Sequence, residues 1–171
     1  MVIKQKIGNL NSFEVSGRSI DLVSIEWFEA NKRILHKRAK SGTEIVMKFM
    51  NEAQSLTEGD VLWEDERRVL VVEIMPCEAI IIQPASMYQM ASACYEIGNK
   101  HLPLFFQNEE ILIPFEAPIF KLLSVAGYEP KREMRKLVNP LKTTVSPHLN
   151  VEGKQSLFSK ILQLTTSATD V

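Results

Sequence analysis

The sequence predicts an α+β fold: an N-terminal all-β domain, then a ferredoxin-like βαββαβ domain, then a flexible C-terminal tail. Three observations lead there. Up to about Pro76, short runs rich in branched and aromatic residues alternate with Gly- and Asp-containing turns, and no long helical stripe interrupts them. From Cys77 to Asn139 two helical stripes alternate with apolar extended runs, in the order strand, helix, strand, strand, helix, strand. From Pro140 onward the pattern fades. The expected boundaries are therefore 1–76, 77–139 and 140–171.

In the first domain, Val2 to Ile7 is a short extended run ended by Gly8-Asn9. Ser19 to Phe28 forms the next run. Lys32 to Ala39 and Thr43 to Met50 flank Lys40-Ser41-Gly42, a hairpin-type connection. Within Thr43 to Met50, apolar Ile45, Met47 and Phe49 alternate with charged Glu44 and Lys48, the two-residue period of a half-buried strand. Gly59-Asp60 opens a strand at Val61-Leu62-Trp63, and Glu64-Asp65-Glu66 turns the chain into Val69 to Val72. Several short strands without a long helix indicate a barrel or two packed sheets.

In the second domain, Ile80-Ile81-Ile82 is a β-branched run ended by Pro84. Met87, Met90, Ala91, Cys94 and Ile97 then recur at the spacing of an amphipathic helix, with Ser86 as N-cap and Gly98 as the expected stop. Leu102 to Phe106 and Glu110 to Phe115 form a hairpin around Asn108-Glu109. Pro118 suits the first turn of a second helix, whose stripe is Ile119, Leu122, Leu123 and Ala126 and whose stop is Gly127. Glu129 to Val138 is a charged strand expected at an edge. Two helices would cover one face of the resulting sheet and leave the other face for another element. In the tail, Gln155 to Leu164 carries Leu157, Phe158, Ile161 and Leu162 on one helical face, expected to pack on its own domain or a sister chain.

Composition narrows the function classes. With 45% hydrophobic and 24% charged residues, the 171-residue chain can bury a core. Its net charge of −1 gives no basic excess with which to hold nucleic acid or an anionic membrane. No apolar run approaches the ~20 residues of a membrane span, and Met1 to Lys6 lacks the apolar segment of a signal peptide. Cys77 and Cys94 are too few and too far apart for a disulfide framework, and reduced thiols suit a cytoplasmic protein. Catalytic signatures are missing too. There is no Gly-rich phosphate loop, no His-Glu-x-x-His and no nucleophile–base pair, so no enzyme is expected. Phe105 and Phe106 could stack bases on an open sheet face, but the Gly-aromatic signature of an RNA-recognition sheet is missing.

Three histidines remain: His36, His101 and His148. His36 lies among Lys32, Arg33, Lys37 and Arg38, where a divalent cation is repelled, and reads as a solvated strand residue. His101 follows Gly98-Asn99-Lys100. Taken alone, a surface histidine is more often solvated than a ligand. A two-fold axis near His101 would change that, because an isologous interface repeats every residue. His148 from the tail would bring the shared site to four imidazoles. Nitrogen ligands suit Ni²⁺, Cu²⁺ and Zn²⁺, and a site completed by a mobile tail would hold an exchangeable ion. Spacing alone does not decide between this and a protein-interaction module without metal.

Cys94-Tyr95-Glu96-Ile97-Gly98-Asn99-Lys100-His101, followed by Leu102-Pro103-Leu104, resembles the Tyr-x-x-Gly-Asn-[Arg/Lys]-His segment of the UreE urease accessory family. Ile25-Glu26-Trp27-Phe28-Glu29 with Lys32-Arg33, Gly59-Asp60-Val61-Leu62, and Phe115-Glu116-x-Pro118 before a Leu-rich helix and Gly127 are similar to other stretches of that family. The resemblance implies a homodimer formed through the second domain. It implies a metallochaperone that binds Ni²⁺, with Zn²⁺ and Cu²⁺ also bound, and passes it with the GTPase UreG to urease apoprotein. It also implies that His101 is the metal ligand at the dimer interface and that His148 occupies the place of a tail ligand. The single histidine of this tail departs from His-rich members, so the resemblance implies about one shared ion per dimer rather than storage.

Overall fold

Alternating burial along short strands builds the first half. In the computed structural model, which describes residues 1–50 and 55–141, β1 (Val2–Ile3), β4 (Ile34–Arg38) and β5 (Glu44–Lys48) form a three-stranded sheet in the order β1-β5-β4. In β5, Ile45 and Met47 point inward while Glu44 and Lys48 point out, as the two-residue period requires. A second sheet runs β2-β6-β7-β3, from β2 (Gly8–Asn9), β6 (Asp60–Glu64), β7 (Arg68–Ile74) and β3 (Ser19–Ile25). Both sheets are mixed, since β1 is parallel to β5 and β3 is parallel to β7.

The core of this half lies between the two sheets. Val23, Ile25, Leu35, Ile45, Met47, Phe49, Leu70, Val72 and Ile74 meet there. Central β7 is buried on both faces, which is why Val69 to Val72 is an unbroken apolar run. Val69 and Val71 face a smaller cluster with Val61, backed by Leu10, Phe13, Val15 and Leu22.

The turn before β6 is held by one buried carboxylate. Asp60 is 2% exposed. It accepts hydrogen bonds from Lys6 Nζ at 3.0 Å, Asn9 Nδ2 at 3.0 Å and the Thr57 N–H at 2.8 Å. Gly59 before it has φ +79°, the left-handed region where a β-carbon is costly.

The second half begins one residue after β7. Strands β8 (Pro76–Ile82), β9 (Phe105–Gln107), β10 (Glu110–Pro114) and β11 (Lys131–Lys136) form an antiparallel sheet in the order β11-β8-β10-β9. Helices α1 (Met87–Asn99) and α2 (Ala117–Val125) complete the βαββαβ order, so the fold is α+β with a β domain followed by a ferredoxin-like one. Charged β11 lies at an edge, as its composition requires. Ile80, Ile82, Ile111 and Ile113 pack one face of the sheet against Ala93 and Ile97 of α1 and Leu123 of α2.

The other face is not open. Ala79, Ile81, Phe105, Leu112 and Leu137 are buried there, with Trp27 of the β domain packed against them. Phe105 is 3% exposed, so it is no stacking platform, and only Phe106 of the pair is exposed. Residues 1–141 accordingly form one compact unit. His148 and the Gln155 to Leu164 stripe lie outside the described residues.

Candidate functional site

Helix α1 positions His101. The helix starts at Ser86, whose Oγ accepts the Gln89 N–H at 3.1 Å, while Gln89 Oε1 accepts the Ala85 N–H at 2.6 Å. Met90, Ala93, Cys94 and Ile97 turn toward the sheet. Met87 and Ala91, expected on the same stripe, face outward instead. The stripe is rotated because Ala93 and Ile97, four residues apart, are the pair that the sheet buries completely.

The outward face is apolar. Met87 is 85% exposed, Tyr88 83% and Tyr95 70%. With Ala91 and Gly98, Tyr88 and Tyr95 form a line at three- and four-residue spacing along an exposed surface. Large aromatics left in water on a regular helix face are the kind of surface that another chain covers. The periodicity of the sequence contains this line, but the more hydrophobic stripe beside it masks it.

Gly98 does not stop the helix. The α-helix runs on to Asn99, with Lys100 as its C-cap. The residue that turns the chain is His101 itself, at φ +55°. Its N–H donates to the Gly98 carbonyl at 2.9 Å, and the Lys100 N–H donates to the Ile97 carbonyl at 3.0 Å. Glycine or asparagine usually fills this left-handed position, and histidine is one of the few other residues enriched there. Beyond it, Leu102 packs on the helix-side core and Leu104 is buried. The Leu141 N–H donates to the Leu104 carbonyl at 2.8 Å. His101 is thus fixed on both sides while its side chain is exposed. It also follows the helix C-terminus, where the peptide dipoles favour positive charge.

The remaining candidates separate clearly. His36 is exposed in the middle of β4, opposite Val46 and far in sequence from α1. Cys77 and Cys94 are free thiols, both partly buried. Burial pushes both thiols up, with the nearby Glu26 carboxylate adding to the shift at Cys77. That works against the thiolate a metal ligand must become. Among the described residues no three His, Cys, Asp or Glu side chains are grouped closely enough to hold a metal ion. No helix among them is long and apolar enough to cross a membrane.

Comparison with known proteins supplies the context for this geometry. Residues 3–75 match the model of the UreE urease accessory protein N-terminal domain, and residues 71–148 match that of the UreE C-terminal domain. The urease accessory protein UreE of Flavobacterium johnsoniae is 46% identical over 164 residues, covering 96% of this chain and 99% of the relative. The protein of that name from Actinobacillus pleuropneumoniae is 39% identical over 145 residues, 82% of this chain and 78% of the relative. That from Helicobacter pylori is 34% identical over 163 residues, 93% of this chain and 96% of the relative. These are accessory proteins rather than enzymes. Two domain models in sequence and a relative at 46% identity over nearly the whole length lead to one conclusion: the chain belongs to the UreE urease accessory protein family.

Proposed function

We propose that this chain is a homodimeric metallochaperone that carries Ni²⁺ to urease apoprotein while the urease active site is assembled. Family membership supports the role in urease maturation. The observation that carries the rest is the exposed apolar line of α1 ending at exposed His101. A second copy covering Tyr88, Ala91 and Tyr95 about a two-fold axis would bring two His101 side chains together. One imidazole per chain is a weak site, and two on an axis form a chelate. His148 is the conditional further ligand.

In this reading residues 77–139 bind metal and dimerise, residues 1–76 meet a partner, and 140–171 is the tail. Ni²⁺ is cargo, so affinity is moderate and the ion exchanges; Zn²⁺ and Cu²⁺ compete through the same nitrogen ligands. The expected partners are urease apoprotein and the GTPase UreG, in the cytoplasm.

Calorimetric titration of Ni²⁺ into wild type and His101→Ala tests the assignment. Loss of binding in His101→Ala is the expected result, and tight binding that survives the substitution sinks it. His148→Ala should weaken binding less, because the tail loses entropy on joining the site. One observation favours a second reading, a metal-free interaction module. An apolar cleft of ≈ 190 Å³ lined by Trp27, Phe28, Leu56, Phe105 and Pro140 could hold a partner side chain. A monomer without Ni²⁺ affinity would support that alternative.

A further inference from the structure

Gly98 lies on the exposed surface of α1 and touches nothing among the described residues that calls for a glycine. Its backbone is ordinary, since it is not among the glycines with positive φ. Space around it is free, because no described atom lies within 4 Å of where a β-carbon would stand. Nor does it end the helix, which continues to Asn99. A glycine inside an exposed helix is a standing cost relative to alanine, so neither its conformation nor packing among the described residues accounts for it.

The neighbourhood supplies a reason. Gly98 lies on the outward line of Tyr88, Ala91 and Tyr95, and its carbonyl accepts the His101 N–H at 2.9 Å. We infer that Gly98 is a positioning residue for the shared metal site: its bare backbone is where a second copy of this chain makes its closest approach. That approach sets how near the two His101 imidazoles come. This rests on the homodimeric reading above and adds to it the residue that fixes the separation. Glycine permits close contact between helices for the same reason wherever two backbones must meet. A β-carbon here would wedge the copies apart at the turn that carries the ligand, and imidazoles held too far apart cannot both reach one ion.

The test pairs Gly98→Ala and Gly98→Leu with His101→Ala in the full chain. Sedimentation velocity reads dimerisation, titration with Ni²⁺ alone reads affinity, and far-ultraviolet circular dichroism reads the fold. Alanine and leucine are better helix formers than glycine, so secondary structure should be kept or increased. Dimer and Ni²⁺ affinity should fall together, by about tenfold for alanine and further for leucine. His101→Ala should lose Ni²⁺ yet stay dimeric. If Gly98→Leu keeps both the dimer and the full Ni²⁺ affinity while His101→Ala loses Ni²⁺, the inference about Gly98 is overturned and the dimer reading stands. A monomeric wild type overturns both. Loss of secondary structure in Gly98→Ala also overturns it, because the glycine would then serve folding and not contact.

Discussion

Trp27 and Phe105 meet edge to face, with ring centroids 5.7 Å apart and an interplanar angle of 82°. Trp27 stands in a 3-10 turn of the β domain and Phe105 in β9 of the ferredoxin-like domain. Their contact closes the second face of the sheet, and Phe105 lies four residues beyond His101. Trp27 also packs against the inter-sheet core, so it touches two hydrophobic clusters at once. Trp27→Ala should therefore destabilise the chain by about 3 kcal/mol, the low end for aromatic truncation because Trp27 is only partly buried. Urea unfolding reads this. A double-mutant cycle with Phe105→Ala should give a coupling of about 1 kcal/mol, and additive losses would mean the rings stabilise the fold separately.

Asp60 is the second anchor of the β domain. It holds Lys6, Asn9 and the Thr57 N–H together in a buried turn. Asp60→Ala removes the acceptor these three donors share and should cost about 3 kcal/mol. Asp60→Asn keeps the shape but loses the charge facing Lys6 and should cost about half as much. Chemical denaturation of the two variants checks the order; equal losses would mean that the charge, not the volume, is what the turn needs.

The sequence made the strand-and-helix order legible because burial follows local periodicity, as in Ile45 and Met47 of β5. Three things were not legible. Gly98 was expected to stop α1, yet the helix passes through it, since complete burial of Ile97 outweighs the roughly 1 kcal/mol glycine penalty. The outward line of Tyr88 and Tyr95 was hidden by the more hydrophobic stripe beside it. Phe105 was expected on an open face, because its cover, Trp27, is distant in sequence and local pattern does not report distant packing. His101 was identified from its motif. What only the structure adds is its left-handed backbone.

Stability should respond to acid through Glu73. Its carboxylate is held below its ordinary 4.5 chiefly by the hydrogen bond from Lys40 and then by Ser24, against a smaller opposing effect of burial. Lys40 Nζ lies 3.1 Å away and Ser24 Oγ 2.9 Å. The folded chain binds this proton more weakly than the unfolded chain does. The stabilisation is therefore complete above the ordinary value and is lost as pH falls through the lower folded value. Lys40 is largely exposed, so the contribution is only about 0.5 kcal/mol. Glu73→Gln should flatten the fall in unfolding free energy below about pH 4.5. An unchanged acid limb would assign that limb to other carboxylates, with Glu29, also lowered, the next to test.

The backbone of His101 sets function against stability. A non-glycine residue at φ +55° carries a left-handed penalty of about 1 kcal/mol. Glycine would relieve it and satisfy the same C-terminal turn. His101→Gly should therefore be more stable than His101→Ala by about 1 kcal/mol, less whatever glycine adds to the entropy of the unfolded chain. Both variants lack the imidazole and should fail to bind Ni²⁺ at this site. Comparing their urea midpoints with that of the metal-free wild type measures what the chain gives up to keep a ligand here. If alanine proves more stable than glycine by the roughly 0.4–1 kcal/mol of unfolded-chain entropy that glycine adds, the left-handed turn is not strained, and histidine stands at the end of α1 at no conformational cost.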